Sequence, residues 1–143
     1  MGHTTLLDLL GMMEPPKPTG ITLNGHRFSQ PVQFRFSVPL KMPGVYAILK
    51  RDLASAFGFV QPFQPVYVGE TESFAERVTR SHEHYQDWVR AVGSENDMWV
   101  AFCWTMPGDR DERLAIEDGL IKMYDPCCNK TLNTQKLLKA FGF

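Results

Sequence analysis

The chain has 143 residues and is 43% hydrophobic, which is enough for one domain with an ordinary core. Its formal net charge of −1 and pI near 6.4 argue against a protein that binds nucleic acid by overall charge alone. The three cysteines, two of them adjacent, do not make a disulfide framework and favour a reducing compartment, the cytoplasm. No apolar run is long enough for a membrane span, and the start of the chain does not resemble a secretory signal, so we expect no membrane partner.

Residues 1–19 are interpreted as an N-terminal arm. Residues 4–13 predict a short helix that is apolar on one side, and the prolines of residues 14–18 end it and predict a stiff linker. The apolar positions of the helix are Leu6, Leu9, Leu10 and Met13. Such an arm either folds back onto its own domain, which we favour because exposed apolar patches are rare, or packs on a second subunit.

The next segment predicts a β-rich extension. Residues 21–28 contain Asn24-Gly25, the strongest short signal for a hairpin. Phe34, Phe36 and Val38 then alternate with polar residues, which is typical of a half-buried strand. We therefore expect a β-hairpin followed by an extended segment that adds to the main sheet.

Three strands are predicted for the core of the domain. Residues 45–49 form a continuous apolar run, residues 65–69 form the next strand, and residues 98–104 are rich in aromatic and β-branched side chains. The segment between the first two strands, residues 51–64, is long and apolar for a loop. We interpret it as a local elaboration packed on the sheet, with a substrate-contacting loop as the alternative.

Two helices are predicted to flank these strands. The first begins at Ser73, where Ser73 and Glu76 have the spacing of a capping box, and its apolar side continues to Val92. The second runs from about Asp109 to Tyr124, with acidic residues in its first turn. A short amphipathic tail covers residues 134–140. The fold class is therefore α/β (α+β), a small three-stranded central sheet flanked by helices with an N-terminal β-hairpin extension, and residues 20–143 form one domain.

Glu117 is the most informative single residue on the second helix. At 100° per residue it shares a face with the apolar side chains that should meet the sheet, which are Leu114, Leu120, Ile121 and Tyr124. A carboxylate there costs several kcal/mol unless a cation or hydrogen-bond donors compensate it. A salt bridge to Arg113 or Arg77 is the structural explanation, and a metal ion is the functional one. Gly119, in the middle of the same helix, would allow close approach to the sheet or to a substrate.

Two predicted strands carry the tripeptides Gly44-Val45-Tyr46 and Tyr67-Val68-Gly69. Arg77 lies ten residues after Tyr67, and Asn129 follows Glu117 by twelve. This ordered set, which covers about positions 42–130, resembles the GIY-YIG nuclease family. The resemblance implies an antiparallel core sheet and a metal-dependent endonuclease that hydrolyses DNA phosphodiester bonds, with one Mg²⁺ or Mn²⁺ per site.

The same resemblance implies a role for each catalytic residue. Glu117 would hold the metal, and Arg77 would bind two oxygens of the scissile phosphate and stabilise the transition state. Tyr46 would position or deprotonate the attacking water, with help from neighbouring cations because a phenol titrates near pH 10. Tyr67 would orient Arg77 or the hydrated metal. Without the resemblance, Tyr46 and Tyr67 could equally be core residues of the strands, and Arg77 could be an ordinary surface residue.

Supporting roles fall to Gly69 and Asn129. Gly69 would allow a tight passage from strand to helix, and Asn129 would tie the loop after the second helix to the site through backbone hydrogen bonds. Cys127 and Cys128 occupy variable positions of the motif, and we assign them no catalytic role.

Two positions depart from the pattern of the family. Ser81 stands where a histidine or tyrosine is common, and Glu70 stands where a lysine or polar residue is common. His82 and His84 lie close by on the predicted helix, and either could assist proton transfer or simply face solvent.

These departures keep other functions open. The first alternative is a non-catalytic nucleic-acid-binding or protein-interaction module that retains the nuclease fold. The second is a toxin or restriction-type effector held by an inhibitor or partner. DNA is the expected partner of the enzyme, and a homodimer or a recruiting or inhibiting partner is left open. Zinc-hydrolase, Walker A and Rossmann motifs do not occur in the sequence.

Overall fold

The computed structural model describes residues 20–52, 62–129 and 142. The predicted arm at residues 1–19, the tail at residues 134–140 and most of the apolar loop lie outside the described residues. Within the described part of the chain, no helix is long and apolar enough to cross a membrane.

The strands are β1 (Ile21–Leu23), β2 (His26–Phe28), β3 (Val32–Gln33), β4 (Gly44–Arg51), β5 (Phe63–Thr71) and β6 (Trp99–Trp104). The helices of the described residues include α1 (Phe74–Arg77), α2 (Tyr85–Val92) and α3 (Arg110–Tyr124), with 3₁₀ turns at Phe34–Phe36 and Glu95–Asp97.

The main sheet is antiparallel throughout, in the order β3-β6-β4-β5. Strand β4 pairs with β5 on one side and β6 on the other, and its first six residues are all buried because both faces of the sheet are covered. The three predicted core strands are therefore confirmed, and the two-residue β3 adds a fourth. Tyr46 on β4 is paired with Gly69 on β5 and with Phe102 on β6.

The two faces of the sheet carry different layers. On one face, Tyr46, Tyr67 and Phe102 pack with α1, α2 and the buried Trp88. On the other face, the alternate strand residues pack with α3 and with the β1–β2 hairpin. The mixed α+β class is confirmed, and each face of β4 and β5 has its own apolar core.

The hairpin predicted from Asn24-Gly25 is present. Both residues have positive φ, 50° and 80°, as a tight hairpin turn requires. The turn lies against α3: the Asn24 backbone N–H donates to the Tyr124 hydroxyl at 3.2 Å. A Cβ on Gly119 would lie 3.0 Å from the Asn24 side-chain nitrogen. Gly119 therefore makes room for the hairpin, where we expected it to face the sheet or a substrate.

The expected strand at Phe34, Phe36 and Val38 is wrong. Strand pairing stops at Gln33, and residues 34–36 form a 3₁₀ turn. The turn inserts Phe34 between Tyr85 and Trp88, with ring centroids 5.8 and 6.2 Å away, and leaves Phe36 exposed.

The expected single helix from Ser73 to Val92 is also wrong, because α1 ends at Arg77 and α2 begins at Tyr85. Side chains in between bond to the backbone and compete with helical hydrogen bonds: the Ser81 N–H donates to Thr79 Oγ1 and the His84 N–H to His82 Nδ1. The capping box does not form, since Ser73 makes no side-chain cap bond.

Candidate active site

Tyr46 and Gly69 form the centre of the site. They are opposite each other on β4 and β5, and the tyrosine ring covers the glycine. A Cβ on Gly69 would lie 2.4 Å from the Tyr46 hydroxyl oxygen and 2.5 Å from Cζ. Gly69 is therefore needed for the tyrosine to lie flat across the strand. We expected Gly69 at the exit from the strand, but β5 continues to Thr71, so that expectation is corrected.

His82 is the direct partner of Tyr46. The Tyr46 hydroxyl oxygen lies 2.9 Å from His82 Nε2. The other ring nitrogen, Nδ1, accepts the backbone N–H of His84 at 3.0 Å, so a neutral His82 carries its proton on Nε2. Burial lowers the pKa of His82 to about 4, which keeps it neutral at physiological pH. His82 therefore donates a hydrogen bond to the Tyr46 oxygen.

Tyr67 lies beside Tyr46 within a group of aromatic rings. Its ring centroid is 6.1 Å from that of Tyr46, 5.5 Å from that of His82 and 5.3 Å from that of Trp88. Burial raises the pKa of Tyr67 to about 12 and raises the pKa of Tyr46 further, so both phenols are protonated at neutral pH. The positive charge of Arg77 acts in the opposite direction on the pKa of both.

Arg77, at the end of α1, is held by Glu83. Its Nη1 and Nη2 lie 2.6 and 2.7 Å from the two carboxylate oxygens of Glu83, a two-pronged pair. This hydrogen bonding lowers the pKa of Glu83 to about 2 and raises the pKa of Arg77. The side chains are 38% and 56% exposed, so Arg77 is reachable from solvent while lying next to both tyrosines.

The sequence did not identify Glu83 as the partner of Arg77. In the expected continuous helix, six residues of separation would turn the two side chains well away from each other. The break between α1 and α2 brings them together instead. Arg80, three residues after Arg77, lies on the surface and pairs with Glu95 at 2.6 Å.

Glu117 lies on α3 and is half-buried. Its charge raises the pKa of Tyr67, which places the carboxylate within electrostatic range of that tyrosine. The face of α3 is only partly the expected one: Leu120 is buried and Ile121 and Tyr124 pack beside it, but Leu114 is exposed. The first half of the helix instead buries Arg113 and Ile116 toward the domain.

The donor set around Glu117 limits the metal it could hold. Among the described residues, no group of three or more His, Cys, Asp or Glu side chains is placed to bind a metal ion. A single carboxylate is compatible with Mg²⁺, which keeps several waters and commonly uses one or two carboxylates together with phosphate oxygens. It does not suit zinc, which needs three or four protein ligands.

Glu70, one of the two departures from the family pattern, is neutralised by Arg113. The Arg113 side chain is 1% exposed, and its Nε donates to Glu70 Oε1 at 3.0 Å. Both residues border a pocket of about 490 Å³ that also reaches Arg77. The pocket has further arginine and glutamate residues on its walls, namely Glu72, Glu76 and Arg110. The negative charge expected near the phosphate is thus compensated by a buried cation.

Asn129 closes the outer edge of β5. Its Oδ1 accepts the Val68 N–H at 2.8 Å, and its Nδ2 donates to the Val68 carbonyl at 3.0 Å. Asn129 thus ties the chain after α3 to β5 through backbone hydrogen bonds, and its link to the site remains a prediction. The adjacent Cys128 is buried and its pKa is raised to about 12, so it is a poor nucleophile.

His84 takes a lesser place than His82. Its Nδ1 lies 3.1 Å from an Asp87 carboxylate oxygen, and its ring centroid is 5.6 Å from that of Tyr67. The structure thus connects Tyr46, Tyr67, Arg77 and His82, sets Glu117 within electrostatic range, and leaves His84 and Asn129 at the margins. The chain matches no protein-family model and no curated protein.

Proposed function

We propose that this protein is a metal-dependent endonuclease of GIY-YIG type that hydrolyses DNA phosphodiester bonds. The observation that carries the proposal is the pairing of Tyr46 with Gly69 on neighbouring strands, with His82 bonded to the phenol and Arg77 beside it. Such a set of a hydroxyl, a neutral imidazole and a guanidinium on one sheet face is suited to phosphoryl chemistry.

Tyr46 acts on the attacking water. Because His82 donates to its oxygen, the phenol directs its own proton toward another acceptor, and negative charge on that oxygen is stabilised by His82 and Arg77. The hydrogen bond from His82 and the positive charge of Arg77 both favour the deprotonated phenol, whereas burial raises its pKa and opposes deprotonation. In this proposal, the His82 side chain, one residue after Ser81, takes the role of the histidine or tyrosine that the family has at the position of Ser81.

Arg77 binds the scissile phosphate. Its two-pronged contact with Glu83 shows that the guanidinium presents two N–H groups to a pair of oxygens, the arrangement that a phosphate offers. Glu83 must move aside for the phosphate to bind. The cost is small because the pair is largely exposed, and exposed pairs contribute about 0.2–1 kcal/mol.

Glu117 would hold the Mg²⁺ or Mn²⁺ ion. When bound, the metal supplies positive charge that offsets the charge developing on the phosphate and the leaving oxygen. Tyr67, which lies beside Tyr46 and feels the charge of Glu117, would orient Arg77 or the hydrated metal.

Cleavage of supercoiled plasmid in Mg²⁺ or Mn²⁺ tests the proposal. We expect nicked or linear product from the native chain, none in EDTA, and a strong loss in Glu117→Gln. The matched control is Asp118→Asn, because Asp118 is the next residue, is exposed and pairs with the exposed Lys122. No cutting by a folded native chain, or full cutting by Glu117→Gln, would contradict the assignment.

The second candidate is a nucleic-acid-binding or interaction module that keeps the fold without the reaction. The pairing of Arg77 with Glu83 and the net negative charge favour it. Its signature is salt-dependent DNA binding by a native chain that does not cut. A toxin-type or restriction-type effector would cut as the enzyme does and differ in how a partner delivers or restrains it.

A further inference from the structure

A groove lined mainly by apolar side chains lies beside the site and has no part in the proposed reaction. It has a volume of about 420 Å³ and is lined entirely by uncharged residues. Phe74 and Phe102 form buried parts of its wall, whereas Phe36, Val38 and Trp104 on its rim are 69%, 83% and 47% exposed. A rim of this kind is unusual on a monomeric protein unless something covers it.

The described chain begins next to a residue that lines this groove. A Cβ on Gly20 would lie within 3.4 Å of Ser29, and Ser29 is one of the residues that line the groove. Ser29 is fixed to β6 by two bonds: its N–H donates to the Phe102 carbonyl at 2.8 Å, and its Oγ accepts the Phe102 N–H at 2.9 Å. Gly20, the first described residue, therefore lies next to the groove.

The length of the linker at residues 14–19 and the apolar side chains of residues 4–13 favour residues 4–13 as the occupant of the groove. Residues 14–19 number six and can span at most about 20 Å, which is a linker length that lets residues 4–13 reach the groove. Those residues repeat apolar side chains at the spacing of one helix face, at Leu6, Leu9, Leu10 and Met13. A short linker gives a tethered segment an effective concentration on the order of millimolar, which favours its own groove over that of a second copy.

We propose that residues 4–13 of the same chain bind in this groove through their leucine side. Binding covers Phe36, Val38 and Trp104 and sets the arm against β6, whose Phe102 is paired with Tyr46. The proposal does not depend on nuclease activity, because it rests on the groove and on the position of Gly20.

Photo-crosslinking of the full chain tests this proposal. p-Benzoylphenylalanine replaces Phe36 in one sample and Met123 in the control, since Met123 is also exposed but lies on α3 and does not line the groove. Mixing ¹⁵N-labelled and unlabelled chains before irradiation separates cross-links within a chain from those between chains, and mass spectrometry maps the peptides.

We expect cross-links from position 36 to residues 4–13 of the same chain, at a yield independent of protein concentration. The control position should give a cross-link yield at least about tenfold lower. A triple variant, Leu6→Ser, Leu9→Ser and Leu10→Ser, should lower the yield from position 36 by a similar factor. A tenfold loss corresponds to about 1.4 kcal/mol, and removing three leucine side chains from the groove should exceed that. Cross-links that join labelled to unlabelled chains, or the absence of any cross-link to residues 4–13, would overturn the proposal.

Discussion

Acid should destabilise the folded protein through His82. Burial lowers the pKa of His82 to about 4, whereas an imidazole in the unfolded chain titrates near 6.5. Between these values the unfolded chain binds a proton that the folded chain does not, so protonation favours unfolding. The contribution of His82 to stability is complete above pH 6.5 and is lost as the pH falls toward 4.

The size of this effect follows from the contacts of the imidazole. The ring centroid lies 4.3 Å from that of Trp88, and Nδ1 accepts the His84 N–H, so a proton added at Nδ1 would face a hydrogen-bond donor. Arg77 also opposes the charge, and Glu83 only partly offsets it. Linkage between pKa values of about 6.5 and 4 gives a loss of about 2 kcal/mol between pH 6.5 and pH 4.5.

Urea unfolding at several pH values between 4.5 and 7.5 measures this loss. We expect the native chain to lose about 2 kcal/mol more than His82→Gln across the interval, since glutamine does not titrate. The control is His26→Gln, which removes an imidazole from the hairpin and leaves the Tyr46 contact intact, and it should follow the native chain. Equal losses in the native chain and in His82→Gln would refute the reasoning.

Three further changes test the contacts around the site. Gly69→Ala should lower the free energy of unfolding by about 1–3 kcal/mol, because the added Cβ would push the buried Tyr46 ring aside; an unchanged urea midpoint would contradict this. Asn129→Ala should lower the free energy of unfolding by about 1–3 kcal/mol and speed amide hydrogen exchange at Val68, because the Val68 N–H and carbonyl lose their partners. An unchanged exchange rate at Val68 would contradict this prediction. Glu83→Gln should tighten DNA binding by about twofold to fivefold and steepen its salt dependence, because it releases Arg77, as gel shifts at two salt concentrations would report; weaker binding would count against a phosphate role for Arg77.

Local patterns were sufficient for much of the fold. The apolar run of β4, the aromatic run of β6 and the Asn24-Gly25 turn each specify their structure within a few residues, and all three are present. The N-terminus of α3 is equally local: Asp109 Oδ1 accepts the Glu112 N–H at 3.0 Å, as a capping residue does.

Long-range packing decided what the sequence could not predict. The periodicity from Ser73 to Val92 suits one helix, but the structure breaks it so that His82 can reach Tyr46 and Glu83 can reach Arg77. The turn at Phe34 likewise forms because Trp88 and Tyr85 offer its ring a buried place. In each case a partner far along the chain outweighs the local preference.

The candidate site was also only partly predictable from the sequence. The resemblance pointed to Tyr46, Tyr67 and Arg77, which lie together in the structure. The resemblance gave no means to choose between His82 and His84. That choice depends on the ring nitrogens: Nε2 of His82 contacts the Tyr46 oxygen, whereas His84 pairs with Asp87.

Plasmid nicking rates of Tyr46→Phe, Glu117→Gln and the double variant, at equal metal concentration, test the central claim most directly. If the two residues act as parts of one catalytic unit, each single change lowers the rate by at least about 100-fold, and the double change lowers it little further. A native rate in either single variant would contradict the account.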